Sequence, residues 1–261
     1  MAHLVSGIQF TGSLGNVSAY RMKGSDKIVL RTKGGPSKKM VATGKQFDIT
    51  RRNNNEFSRR AKGSALILNA MSDLRRLADY KISAALNAVL KQIQALDTTS
   101  VFGERDIFLS RRPGLLEGFS FNREITFDAT LLAPLRVSID DLANRVTVVL
   151  PEIVHGTNFR TDGHYPWCRF VLAAACVPDL EWRDNGFPGN VPRGTSQTEW
   201  QPAMAEAAER RVELSFAPAS NRASTLVVGI GLQYGVVSPS GEIVPVNFGC
   251  AKILLAKALG S

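Results

Sequence analysis

The chain has 261 residues, of which 44% are hydrophobic and 21% are charged, and its formal net charge is +9 at neutral pH. This composition excludes an intrinsically disordered chain, and the length allows one large domain or two small ones. No apolar run is long enough to span a membrane, and no charged and apolar segments of a secretory signal begin the sequence. We therefore expect a cytoplasmic protein. An extracellular or virion-associated location would require lysis or dedicated export.

The charge is concentrated near the start of the chain. Residues 1–62 hold 13 Lys or Arg and 3 Asp or Glu, so this segment carries +10 and the remainder −1. A near-neutral body with a basic arm favours an acidic protein face, nucleic acid or an anionic membrane surface as the partner.

Residues 1–47 are predicted to form an N-terminal β arm with a basic loop. Ile8 and Phe10 alternate with polar residues, GSLGN (12–16) is typical of a turn, and residues 17–21 and 28–31 have the composition of strands. So small a sheet has almost no core of its own, so we expect it to pack on the rest of the fold or on another copy.

The densest charge lies between residues 34 and 62. Gly34, Gly35 and Pro36 are predicted to interrupt regular secondary structure. A polar helix is predicted to begin near Asp48 or Thr50. We expect this stretch to mediate self-assembly or to bind a polyanion through Lys38, Lys39, Lys45, Arg51, Arg52, Asn53, Asn54, Asn55, Arg59 and Arg60.

Residues 48–112 are predicted to be a helical segment. Apolar residues recur at steps of three and four from Ile67 to Leu96, which is typical of a helix face that packs into a core. We expect two helices, at about 48–76 and 79–96, with a break near Leu77. A single long coiled-coil helix is the weaker alternative, because Gly63 interrupts the first half.

Residues 113–261 are predicted to be an antiparallel β-sandwich of immunoglobulin-like size and layout, so the fold class is α+β. Period-two alternation runs through residues 119–127, 135–139 and 146–150, and further apolar strands follow, among them 170–177, 225–234, 243–246 and 250–255. Residues 179–203, which include Trp182, Phe187 and Trp200, are predicted to be a long loop.

No sequence motif indicates an enzyme, a metal site, a cofactor or a small-molecule substrate. Three cysteines without ligand spacing indicate buried free thiols, although a single disulfide is the alternative. His155 and His164 are nine residues apart, which is a poor spacing for a metal site. The phosphate-loop and dinucleotide-binding patterns are incomplete.

Five blocks of the sequence are similar to an uncharacterised protein family of Bacteroidota. They are GSLGN, KGGPSKK (33–39), FDITRRNNNEF (47–57), LLEGFSFN (115–122) and GIGLQYGVVSPSGEIVPV (229–246). The resemblance spans most of the chain and implies a bacterial source and the layout described above. It implies no biochemical activity.

We expect a non-enzymatic structural protein that self-assembles, through its N-terminal arm, into a homo-oligomer or polymer such as a filament, tube, ring or phage-like shell. The small sheet, the basic arm and the β-rich edges all favour contacts between copies. The alternative is a protein that binds nucleic acid non-specifically through the basic residues 38–62.

Overall fold

The computed structural model describes residues 2–3, 10–22, 26–32, 34–161, 163–182, 190–218 and 222–259. The chain divides into two compact units, which we call the N-terminal unit (Met1–Asn53) and the C-terminal unit (Asn54–Ser261). Helices occur together with three antiparallel sheets, as the α+β class requires. The predicted division into segments 1–47, 48–112 and 113–261 stays a prediction.

The N-terminal unit contains a four-stranded antiparallel sheet in the order β1-β4-β3-β2. Its strands are β1 (Ala2–His3), β2 (Gly12–Leu14), β3 (Val17–Arg21) and β4 (Ile28–Thr32). The predicted strands at 17–21 and 28–31 are confirmed, whereas the prediction at Ile8 lies outside the described residues. A two-residue turn joins β2 to β3, and Gly15 adopts a φ of 53°, which glycine tolerates without steric cost.

The helices follow this sheet in the chain. They are α1 (Lys38–Thr43), α2 (Asp48–Ala70), α3 (Ser72–Arg75), α4 (Ile82–Ala95) and α5 (Phe127–Thr130), with 3-10 turns at Lys45–Phe47, Leu109–Arg111 and Pro113–Leu115. The predicted helix start near Asp48, the break near Leu77 and the second helix are confirmed, but the first helix is interrupted at Met71, which adopts φ −99° and ψ 30°. The predicted apolar stripe is buried at Ile67, Leu74 and Ile82.

The C-terminal unit contains the other two sheets. A three-stranded sheet has the order β10-β6-β5, and a five-stranded sheet has the order β12-β11-β7-β8 with β9 also paired to β7. Their strands are β5 (Arg136–Asp140), β6 (Arg145–Leu150), β7 (Trp167–Pro178), β8 (Arg193–Gln197), β9 (Gln201–Pro202), β10 (Arg210–Ser215), β11 (Ser224–Val237) and β12 (Ile243–Leu259).

Strand β7 has apolar neighbours on both faces. Val171 and Ala173 belong to one buried cluster with side chains of α2, α3 and α4. Phe170 and Leu172 point the other way, into a second cluster that contains inward side chains of β6 and β10. The five-stranded sheet therefore lies between the helices and the three-stranded sheet, which explains why β7 is a nearly continuous apolar run.

Two of the predictions for this unit are wrong, and a third is only partly correct. Residues 119–127 form no regular strand, since a single bridge at Ser120 is followed by α5. The predicted loop at 179–203 contains β8 and β9, although Phe187 lies outside the described residues. The predicted strands at 243–246 and 250–255 are confirmed as strand, but both belong to one element, β12, whose pairing with β11 is shifted between Gln233 and Gly235.

Candidate polar and basic interaction site

The N-terminal unit displays several of the predicted basic side chains to solvent. Lys38 and Lys39 lie in the first turn of α1, and Lys45 lies in the 3-10 turn that follows; all three are exposed. Ser37 begins α1 by accepting a hydrogen bond from the Met40 N–H at 3.1 Å. Arg52 and Asn53 are exposed near the start of α2. These positions could contact a polyanion or an acidic protein surface.

Arg51 has a structural role instead. Its Nη1 donates to the carbonyl oxygens of Val41 and Gly44, at 2.8 Å each, and its Nη2 lies 3.3 Å from Asp48 Oδ1. Since the last carbonyls of a helix have no partner within it, Arg51 stabilises the end of α1. Asp48 also pairs with Arg52 Nε at 2.8 Å.

In the C-terminal unit, the predicted residues are two exposed amides, one buried arginine and one half-buried arginine. Asn54 and Asn55 are exposed on α2. Arg59 is buried, its Nη1 donates to the Leu180 carbonyl at 3.1 Å, and its guanidinium lies 4.9 Å from the centre of the Trp182 ring. A guanidinium in this setting supports the fold and is shielded from an external phosphate.

Arg60 belongs to a polar network centred on the Glu56 carboxylate, which is 3% exposed. Arg60 Nη1 donates to Gln94 Oε1 at 2.6 Å and lies 3.7 Å from Glu56 Oε2. Glu56 also accepts from Arg105 and from the Gly103 N–H at 3.0 Å. Burial alone would raise the pKa of Glu56, but the Arg105 and Gly103 hydrogen bonds and the charges of Arg105 and Arg60 outweigh it and lower the pKa.

A second carboxylate fixes the loop that carries Arg105. Asp97 Oδ1 accepts hydrogen bonds from the Thr99 N–H, the Thr99 hydroxyl and the Ser100 N–H, and its Oδ2 accepts from the Asp106 N–H at 2.9 Å. Burial opposes ionisation, yet these donors prevail and hold the pKa of Asp97 well below its usual value. The loop between α4 and the 3-10 turn at Leu109–Arg111 is therefore anchored at both ends.

Two exposed phenylalanines beside this network are candidate interaction residues that the sequence did not single out. The Arg60 guanidinium lies 5.9 Å from the Phe57 ring centre, and the Arg105 guanidinium lies 5.4 Å from that of Phe102. Each ring therefore lies beside an arginine that contacts the Glu56 carboxylate. The exposure of Phe57 could have been predicted, because this residue lies off the apolar stripe of α2. The position of Phe102 could not, because it depends on long-range contacts.

The three cysteines lie in the apolar interior of the C-terminal unit. Cys168, Cys176 and Cys250 are buried thiols that no disulfide joins within the described residues, as predicted. Burial raises the pKa of Cys168 and of Cys250 to about 11, although a hydrogen bond between Cys168 and Gln201 and one between Cys250 and Thr130 act against it. Within the described ranges, no three His, Cys, Asp or Glu side chains are grouped to hold a metal ion.

None of the helices among the described residues combines the length and the apolar character needed to cross a lipid bilayer. Comparisons with models of protein families, with curated proteins and with solved structures found no match. The resemblance to a Bacteroidota family stays a prediction.

Proposed function

We propose that this protein is a non-enzymatic structural subunit that self-assembles into a homo-oligomer or polymer through the sheet of its N-terminal unit. The observation that carries this proposal is strand β2, whose three residues are all exposed. Strand β2 pairs with β3 on one side, and on its other side no strand among the described residues pairs with it.

An open strand edge presents unpaired N–H and C=O groups, which a strand from another chain can complete. Proteins usually protect such edges with charged residues or proline, and β2 has neither in its sequence, Gly-Ser-Leu. Leu14 is 69% exposed, and Tyr20 and Met22 are also large apolar residues at the surface of this sheet. Apolar side chains beside an open edge favour protein contact over permanent exposure to water.

The small apolar core of this sheet supports the same proposal. Ala19, Ile28 and Val29 are its buried apolar residues within the described ranges. Burying a large aliphatic side chain contributes roughly 1.5–3 kcal/mol, whereas ordering each residue costs roughly 1–2 kcal/mol of backbone entropy. The entropy cost of ordering this sheet therefore exceeds the free energy gained from its own core. We propose that apolar burial against another copy offsets part of the difference.

For the C-terminal unit we propose a two-sheet sandwich, since both sheets contribute to one apolar cluster. The immunoglobulin-like layout is part of this proposal. A rigid body of this kind would carry the N-terminal sheet in the assembly, and a head-to-tail contact would generate rings or open filaments.

The test compares Leu14→Lys with Leu142→Lys, a matched change at a 98% exposed leucine in the turn between β5 and β6. We expect the wild type and Leu142→Lys to assemble, as judged by light scattering and negative-stain microscopy. A lysine beside the open edge should prevent strand addition, so Leu14→Lys should remain monomeric. A monomeric wild type, or normal assembly of Leu14→Lys, would contradict the proposal.

Non-specific nucleic-acid binding is the second candidate function. It is favoured by the exposure of Lys38, Lys39, Lys45 and Arg52 within one short segment of the N-terminal unit. Residues 1–53 contain 10 Lys or Arg and 2 Asp or Glu, which gives this unit a charge of +8. Such a surface attracts a phosphate backbone without reading its sequence.

A further inference from the structure

The strand register of the N-terminal sheet brings three polar side chains into one row. Ser13 of β2 is paired with Ser18 of β3, and Ser18 is paired with Arg31 of β4. Directly paired residues of neighbouring strands point to the same face, so two hydroxyl groups and one guanidinium lie side by side. None of the basic residues predicted from the sequence belongs to this row.

This row lines an open cleft of about 540 Å³. Thr32, Gly34 and Gly35 complete the lining. A Cβ atom built on either glycine would have no neighbour within 4 Å, so the space above the glycine backbone is unobstructed. The lining thus offers hydroxyl groups, a guanidinium and accessible backbone, and none of the described residues that line it is a carboxylate.

Arg31 contacts an aromatic ring, and no ion pair of Arg31 occurs among the described residues. Its guanidinium lies 5.9 Å from the ring centre of Tyr20, which is a cation–π distance. Residues 1–53 contain only two acidic side chains, Asp26 and Asp48. Asp48 pairs with Arg51 and Arg52, and no ion pair joins Arg31 to either acid among the described residues.

We propose that this cleft binds a phosphate group. A tetrahedral oxyanion needs several donors that converge from different directions, and the serine hydroxyls and the planar N–H fork of Arg31 provide them. The net charge of this unit favours an anion, and the open glycine backbone allows its oxygens to approach closely. The group is either a phosphodiester of nucleic acid or a free phosphate, which share this chemistry.

The first experiment titrates the full-length protein with inorganic phosphate by calorimetry, against sodium chloride at the same ionic strength. We expect saturable binding of phosphate to one site and no binding of chloride. Arg31→Gln should weaken phosphate binding at least about tenfold, since a charge-assisted hydrogen bond contributes about 1.5–3 kcal/mol. Ser18→Ala should weaken it about twofold to tenfold. The amide resonances of Gly34 and Gly35 should shift during the titration.

Arg123→Gln is the matched control, because Arg123 also lies over a tyrosine ring, at 4.2 Å from the centre of Tyr80, in the C-terminal unit. It should bind phosphate like the wild type. Arg31→Lys keeps the charge and should have intermediate affinity, which separates a lost contact from a lost fold. No saturable phosphate binding, equal binding by Arg31→Gln, or equal losses in Arg31→Gln and Arg123→Gln would overturn the proposal.

A short single-stranded DNA oligonucleotide distinguishes the two sources of the phosphate. If a phosphodiester is the ligand, the oligonucleotide competes with inorganic phosphate and Arg31→Gln weakens its binding. If the ligand is a free phosphate, the oligonucleotide neither competes nor responds to Arg31→Gln, although phosphate does. Phosphate binding should persist in Leu14→Lys. The proposal of a phosphate site is therefore tested independently of the proposal of self-assembly.

Discussion

Arg105 forms a bidentate pair of hydrogen bonds with Glu56: Nε lies 2.6 Å from Oε1, and Nη2 lies 2.7 Å from Oε2. Parallel hydrogen bonds of this kind are among the stronger polar contacts in proteins. Arg105→Ala would leave the buried Glu56 carboxylate without its main partner, and breaking a buried pair costs about 3–5 kcal/mol. Because the Arg105 side chain is 25% exposed, we expect a loss near 3 kcal/mol, measured by urea unfolding.

Arg136→Ala is the matched control for this prediction. Arg136 also pairs with a glutamate, Glu209, but both side chains are exposed. Exposed pairs contribute about 0–1 kcal/mol, so the urea midpoint should change little. Equal losses in the two variants would contradict the structural role of the Glu56 network.

The lowered pKa of Glu56 predicts a loss of stability in acid. The folded-state pKa lies below the ordinary value of 4.5, so the unfolded chain takes up the proton first as the pH falls. The stabilisation by Glu56 is therefore complete above pH 4.5 and is lost as the pH falls through the folded-state pKa. Urea unfolding between neutral pH and pH 3 should show a smaller dependence on pH in Glu56→Gln than in the wild type. An unchanged dependence would contradict the shift.

Gly194 should tolerate no side chain. A Cβ atom there would lie 1.8 Å from the carbonyl oxygen of Ser215, which is backbone and cannot rotate away. We expect Gly194→Ala to lower the free energy of unfolding by about 1–3 kcal/mol, in the range of overpacked sites. Gly114→Ala is the control, because a Cβ at Gly114 meets nothing within 4 Å and should change stability by less than about 0.5 kcal/mol.

The second candidate function predicts a specific dependence on charge position. The double variant Lys38→Glu and Lys39→Glu should weaken binding of a DNA oligonucleotide and reduce the slope of log affinity against log salt. Each phosphate contact on single-stranded DNA contributes about −0.7 to that slope. Lys81→Glu with Lys91→Glu changes the net charge equally at exposed sites of the C-terminal unit and should have a smaller effect. Equal effects would indicate attraction by net charge alone.

The sequence predicted the strands and helices that are determined by the spacing of apolar residues along the chain. Strands β3 and β6 follow from alternation, and the buried face of α4 follows from its helical spacing. The predicted interaction site included one buried and one half-buried arginine because their partners are distant in sequence: Arg59 contacts a carbonyl 121 residues away, and Arg60 contacts an amide 34 residues away. Charge density alone does not separate an exposed lysine from an arginine that holds the fold together.

The cleft for which we propose phosphate binding was not predictable for a related reason. Its hydroxyl groups come from Ser13 and Ser18, which are common residues in strands and turns, and they meet Arg31 only through the pairing register. A shift of one residue would place these side chains on opposite faces.

Strand β11 is bordered by β7 on one side and by β12 on the other, and twelve of its fourteen residues are buried. During synthesis β7 emerges first, so β11 stays a long apolar edge until β12 has left the ribosome. An unpaired edge of this length is prone to aggregate and to attract chaperones that bind extended apolar segments. The yield of folded protein should therefore depend on how quickly β12 is translated after β11. Slow translation between these two strands should increase misfolding.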